Sequence, residues 1–117
     1  MSIDDATRHQ LSVLARRPRA RRTEFSAARP ARWQPRQVLD PTGGLDAPFT
    51  EVGAWELIAS RLEDGHAVEV IELRKPPGAT GYVMKIDLGS GAPLVYVKLE
   101  LRSGRILGRS FHYSDHA

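Results

Sequence analysis

Residues 96–117, YVKLELRSGRILGRSFHYSDHA, decide how this chain is read. An alternating run ending at Arg102 meets Ser103-Gly104 and resumes as RILGRSFHY, the pattern of a β-hairpin. In the first strand Val95, Val97, Leu99 and Leu101 point one way, and Tyr96, Lys98, Glu100 and Arg102 the other. What lies opposite them depends on the turn. A two-residue turn on Ser103-Gly104 sets Lys98 against Arg109 and Tyr96 against Phe111, and buries Ser110 and His112. A three-residue loop with Gly104 as a left-handed bulge shifts the register by one. Tyr96 then faces Ser110, Lys98 faces Gly108, His112 joins the same open face, and Leu107 and Phe111 go to the core. The second register is the expected one. Serine is a poor first residue for a type I′ turn, and this register buries Leu107 and Phe111 instead of polar groups. It also leaves Arg105 and Arg109 on the core side, where Arg109 must snorkel or pair with an acid.

Working upstream, YVMKIDL (82–88) alternates so that Lys85 and Asp87 share the open face with Tyr96 and Lys98. AVEVIELRK (67–75) is a further strand, and PPGATG and GSGAP are the links. Such short links pair successive strands antiparallel. Before them, FTEVGAWELIASRLEDGH (49–66) carries Val52, Trp55, Ile58 and Leu62 at helical spacing, with Thr50 as candidate N-cap and Gly65 as stop. The expected fold is α+β: a helix packed on a four-stranded antiparallel sheet over residues 49–117, preceded by an extension over residues 1–48.

That extension opens with a candidate helix at 4–16, where Leu11, Val13 and Leu14 make a short apolar stripe. Residues 17–48 are rich in Arg, Pro and Ala and read as mostly irregular, with Phe25, Trp33, Val38 and Leu39 as candidate anchors. The plain reading of the arginines is a solvated linker. The functional one is a tether for nucleic acid or an acidic partner.

Charge follows the same division. Residues 1–44 hold nine Arg against four acids, and residues 45–117 hold eight basic groups against ten acids, giving the net +3. The basic character therefore lies in the extension. With no cysteine, disulfides, thiolate zinc sites and a Cys nucleophile are excluded. No apolar run is long enough to span a membrane, and MSIDDATRHQ lacks the features of a signal peptide, so a cytoplasmic location is expected.

The open hairpin face offers Tyr96, Lys98, Ser110 and His112, with Lys85 alongside and Arg109 near. It lacks the carboxylate cluster of a metal site. His112 and His116 are four apart, but on a strand and a tail, where that spacing does not aim both at one ion. His9 and His66 are isolated surface residues. The set suits binding and cleaving a phosphodiester without metal: His112 as acid or base, Tyr96 as donor, Lys85 and Lys98 as charge. The blander reading is an ordinary solvated sheet face.

VYVKLELRSGRILGRSFHYS (95–114) resembles the last hairpin of the MqsR family of bacterial toxins, which are similar to the broader RelE-like ribonuclease fold. The shared pattern is an aliphatic-Tyr-aliphatic-Lys strand, a short turn, and a final strand with Ser-Phe followed by a basic residue. The resemblance implies an mRNA endoribonuclease that uses no metal or other cofactor and is neutralised by a cognate antitoxin. Tyr96 matches the family's catalytic Tyr, and His112 stands where the family has a C-terminal Lys. Lys85 is the nearest counterpart of a Gln on the preceding strand, and Arg61 and Arg74 are candidates for a Lys in the helical region. Arg109, Ser110, Tyr82, Arg74 and Tyr113 are the residues expected to hold RNA. The competing expectation is a non-catalytic module that binds nucleic acid or protein, including an antitoxin or immunity protein that covers an enzyme.

Overall fold

A computed structural model describes residues 2–23, 32–43, 47–74, 77–89 and 91–114. The candidate anchor Phe25, His116 and parts of the PPGATG and GSGAP links lie outside the described residues. Two helices, α1 (Asp5–Ala15) and α2 (Glu51–Glu63), cover one face of a six-stranded, mostly antiparallel sheet. The strands are β1 (Arg21–Thr23), β2 (Arg32–Trp33), β3 (Glu69–Glu72), β4 (Thr80–Ile86), β5 (Val95–Arg102) and β6 (Arg105–Tyr113). The architecture is α+β, with six strands instead of the four expected.

Local chemistry starts and stops the helices. The Asp4 carboxylate accepts from Thr7 N at 2.7 Å to cap α1, and Thr50 Oγ1 accepts from Gly53 N at 2.9 Å to cap α2. At the end of α2, Gly65 N donates to Leu62 O and His66 N to Arg61 O, a Schellman closure around Gly65 at φ 83°. Arg8 Nη1 reaches the same end, donating to Leu62 O and His66 O, and Arg16 grips Glu63 with two hydrogen bonds. Leu11, Leu14, Trp55, Ile58 and Leu62 are buried against Val95, Val97, Leu99, Ile86 and Phe111 of the sheet. Val52, expected in the apolar stripe, is 58% exposed, because α2 meets the sheet through Ala54, Trp55 and Ile58 instead.

β3, β4, β5 and β6 form an antiparallel meander in that order. The two further strands come from the segment read as irregular. β1 runs parallel to Ile106–Gly108 and β2 parallel to Ser110–Phe111, so both lie along the outer edge of β6. Trp33 holds β2 in place. Its ring lies 4.9 Å from that of Trp55 and 5.6 Å from that of Phe111, and its Nε1 donates to the Glu51 carboxylate. Such aromatic pairs add about 0.5–1.5 kcal/mol each beyond burial. The ring sits directly over Gly108, where a Cβ would stand 2.5 Å from Trp33 Cζ3. Val38 is fully buried as expected of an anchor, whereas Leu39 is 48% exposed.

The β5–β6 hairpin corrects the expected register. Arg102 pairs with Arg105, so the turn has two residues, with Ser103 at φ 53° and Gly104 at φ 72°. Both positive angles are those of a type I′ turn, whose twist matches that of the flanking strands. The tight turn prevails although Ser103 is placed in a region costly for a residue with a Cβ. The extra residue enters further along. Leu99 pairs with Gly108 but Lys98 with Ser110, which makes Arg109 a bulge. Beyond it Tyr96 pairs with His112 and Val97 with Phe111. Three corrections follow from the two-residue turn and the position of the bulge. Arg105 lies opposite Arg102 and Leu107 opposite Glu100, both on the face away from the helices, and Arg109 turns to that face as well, where it meets Glu100.

Two stability measurements test this account. Ser103→Asn should raise the urea midpoint by the equivalent of about 0.5–1 kcal/mol, since Asn tolerates the left-handed region better; a loss would contradict the turn assignment. Gly108→Ala should cost about 1–3 kcal/mol by overpacking against Trp33. In a Trp33→Ala background most of that cost should vanish; an equal cost in both backgrounds would place the clash elsewhere.

Candidate functional site

The face turned away from the helices is ordered by strand pairing into rows. The first row is Lys85, Tyr96 and His112, on β4, β5 and β6. Two residues along the strands lies a second: Glu69, Val83, Lys98, Ser110 and Arg32, crossing from β3 to β2. The third is Ile71, Gly81, Glu100, Leu107 and Arg22. Neighbouring strands are about 4.8 Å apart and rows about 6.6 Å apart, so long side chains in adjacent rows reach one another.

Tyr96 and His112 are direct cross-strand partners whose rings stack, with centroids 5.5 Å apart and planes 23° apart. His112 Nδ1 lies 2.8 Å from Tyr113 O. A carbonyl only accepts, so Nδ1 carries the proton of this hydrogen bond and the neutral ring presents a lone pair at Nε2. Burial pushes the Tyr96 phenol above its usual range, helped by Glu69 and opposed by Arg32. Lys98 moves the other way. Burial is the main cause, and the nearby guanidinium groups of Arg109 and Arg32 add to it, holding its amine below the ordinary lysine range.

Glu100 anchors one side of the face. It is only 2% exposed, yet its carboxylate accepts from Arg102 Nε at 3.0 Å and from Arg109 Nη1 at 2.7 Å. A buried carboxylate of this kind is tolerable only when paired and hydrogen-bonded. The pairing fixes Arg109 beside Lys98 and draws Arg102 back from the turn. Neither Lys98 nor Lys85 has a hydrogen-bonded or ion-pair partner among the described residues.

Six of the nine residues singled out from the sequence therefore share this face: Tyr96, His112, Lys98, Lys85, Ser110 and Arg109. Three do not. Tyr82 pairs with Leu99 and packs on the helix side, where burial and Asp4 push its phenol up. Tyr113 pairs with Val95, and its hydroxyl accepts from Leu39 N at 3.0 Å. Arg74 follows β3 at the opposite edge of the sheet, outside the rows. Arg61 is also remote, lining a cavity of about 450 Å³ between α2 and residues 40–42. Sequence reasoning missed the roles of Glu100 and Arg32. Glu100 could have been found, as the single acid in residues 96–110. Nothing local marks Arg32, which reaches the face through a pairing 78 residues away.

Against protein-family models, curated proteins and solved structures, the chain finds no significant match. Among the described residues, no helix is long and apolar enough to cross a membrane, and no group of three or more His, Cys, Asp or Glu is placed to hold a metal ion.

The electrostatics carry a testable sign. The folded protein holds fewer protons on Lys98 than the unfolded chain does. Its contribution to stability therefore rises with pH between the folded value and the ordinary lysine value. Tyr96 contributes oppositely: its share is complete below the ordinary tyrosine value and is lost as pH rises through the higher folded value. Arg32→Gln should move the Lys98 titration, followed by NMR at its Cε, upward towards the ordinary range. An unmoved titration would mean that Arg32 does not face Lys98.

Proposed function

We propose that the open face of the sheet binds single-stranded RNA and cleaves it without a metal ion, by attack of a ribose 2′-hydroxyl on the adjacent phosphate. The observation that carries this reading is the stacked pair of Tyr96 and His112 beside Lys98, a proton acceptor, a proton donor and a cation within two adjacent rows. In the reaction the O2′–P bond forms as the P–O5′ bond breaks. His112 Nε2 takes the 2′-hydroxyl proton. The Lys98 ammonium, made more acidic by its surroundings, gives a proton to the departing 5′-oxygen. Tyr96, which keeps its proton at neutral pH, donates a hydrogen bond to a non-bridging oxygen, and Lys85 adds positive charge. The products are a 2′,3′-cyclic phosphate and a free 5′-hydroxyl.

The C-terminal likeness to MqsR-type toxins supports a biological setting: a cytoplasmic toxin of a type II toxin–antitoxin pair that acts on mRNA and is restrained by a cognate antitoxin. A flat sheet face with aromatic rings and cations also suits a chain of nucleotides better than a small metabolite.

The experiment is direct. The protein and its His112→Ala variant are incubated with RNA in the presence of EDTA, and the ends are identified. Wild type should leave 2′,3′-cyclic phosphate ends, and His112→Ala should be slower by about 10²-fold or more, the share of a general acid or base. RNA that stays intact while still bound would make the face a non-catalytic binding module. RNA neither bound nor cut would remove the reading altogether.

A further inference from the structure

Two of the cations on the open face come from distant parts of the chain and meet without a counter-ion among the described residues. Arg32 in β2 pairs with Ser110 in β6, and Ser110 pairs with Lys98 in β5, so the three lie side by side in one row. Ser110 is 2% exposed and makes no side-chain hydrogen bond to any described residue. Neither Arg32 nor Lys98 is ion-paired or hydrogen-bonded through its side chain to a described residue. Their neighbours differ: Arg102 and Arg109 are both tied to Glu100, and on the far side of the sheet Arg16 is tied to Glu63. The nearest acid in the row, Glu69, stands on β3, two strands from Lys98 with Val83 between them. Like charges brought together around a partly buried hydroxyl are costly unless an anion joins them.

We infer that Arg32, Ser110 and Lys98 form a phosphate-binding pocket, and that Arg32 is the substrate-binding residue supplied by the arginine-rich segment. The inference rests on the RNA reading above for the source of the phosphate, a backbone phosphodiester. The guanidinium suits this task by its planar fork of donors, which engages two non-bridging oxygens at once, while Lys98 contributes a point charge and Ser110 a hydroxyl. Arg32 is exposed, but the next residue, Trp33, is clamped on the other face between Trp55 and Phe111. The backbone of Arg32 is therefore positioned by packing, while its side chain is exposed and tied to no described residue. The segment that reads as a loose tether becomes a wall of the site. The row of Arg32, Ser110 and Lys98 adjoins the row of Tyr96 and His112, so a phosphate held there would lie beside that pair.

The test uses the full chain with two probes: an uncleavable 2′-deoxy oligonucleotide and inorganic phosphate. Arg32→Ala should weaken oligonucleotide binding about tenfold, the loss expected of one charge-assisted contact. It should also reduce the slope of log affinity against log salt by about 0.7, one phosphate contact fewer. Arg105→Ala, at the exposed turn, should change neither the affinity nor the RNA-cleavage rate. Millimolar guanidinium ion should restore part of the binding and cleavage lost in Arg32→Ala, which a purely structural role would not allow, and the urea midpoint should be unchanged. If wild type binds the oligonucleotide and Arg32→Ala binds it equally well with the same salt slope, the pocket is refuted while the RNA reading stands. Binding of inorganic phosphate that is lost in Arg32→Ala, with no oligonucleotide bound by either protein, would keep the pocket and refute RNA as its source. No binding of either probe by wild type overturns both.

Discussion

The extra residue in β6, between the partners of Leu99 and Lys98, is the constraint from which the rest of the face follows. Before it, the hairpin obeys the register of its two-residue turn. After it, every side chain of β6 has changed faces relative to that register, because strand periodicity is two. The bulge sends Phe111 into the core against Val97 and turns Ser110 and His112 outward against Lys98 and Tyr96. It also frees Arg109 from strict alternation, so that its guanidinium reaches Glu100. Without the bulge, two polar groups would occupy the place of Phe111, at a desolvation cost that no described partner offsets.

The residue before the bulge connects it to the N-terminal segment. Gly108 has no side chain, and the space above it is filled by Trp33. Trp33 in turn sits against Trp55 and Phe111, sharing the Glu51 carboxylate with Trp55 through their indole N–H groups. This cluster attaches β2 to the sheet although β2 is only two residues long, too short to hold by backbone pairing alone. The same cluster fixes α2, which carries Glu51 and Trp55, over β6. One edge of the sheet, one helix and the arginine beside Trp33 are thus held by a single aromatic stack. The stack lies on the helix side and the cations on the other, so the side chains that hold the fold together here differ from those proposed to bind a ligand.

Much of the fold is legible locally. Thr50 and Gly65 bound α2 where the sequence places a cap and a stop, since both act through hydrogen bonds three to five residues away. The alternation of β4 and β5 puts Lys85, Tyr96 and Lys98 on one face for the same kind of reason. The grouping of Tyr96, Lys98, Ser110 and His112 also follows from the sequence, but by a different route from the one expected. A bulge is present, but at Arg109 and not at Gly104. Turn propensity argued against Ser103 in a left-handed conformation. It could not register that Gly108 is the position where Trp33 needs room. Tyr82 and Tyr113 show the opposite failure: both look reactive by residue type, and both are taken up by packing or a backbone hydrogen bond on the helix side.

By itself, the sequence determined the elements whose causes are local: the helix of residues 51–63, the antiparallel meander, and an open face bearing Tyr96, Lys98 and Lys85. Periodicity and capping decide these, and both are read over a few residues. Only the tertiary structure decided that Arg21–Thr23 and Arg32–Trp33 are strands, that the bulge falls at Arg109, and that Arg32 stands beside Ser110 and Lys98. Each of these depends on contacts between residues far apart in the chain. Two strands of two or three residues have no periodicity to detect, and an arginine in a proline-rich segment looks the same whether it is solvated or set into a sheet by the tryptophan that follows it.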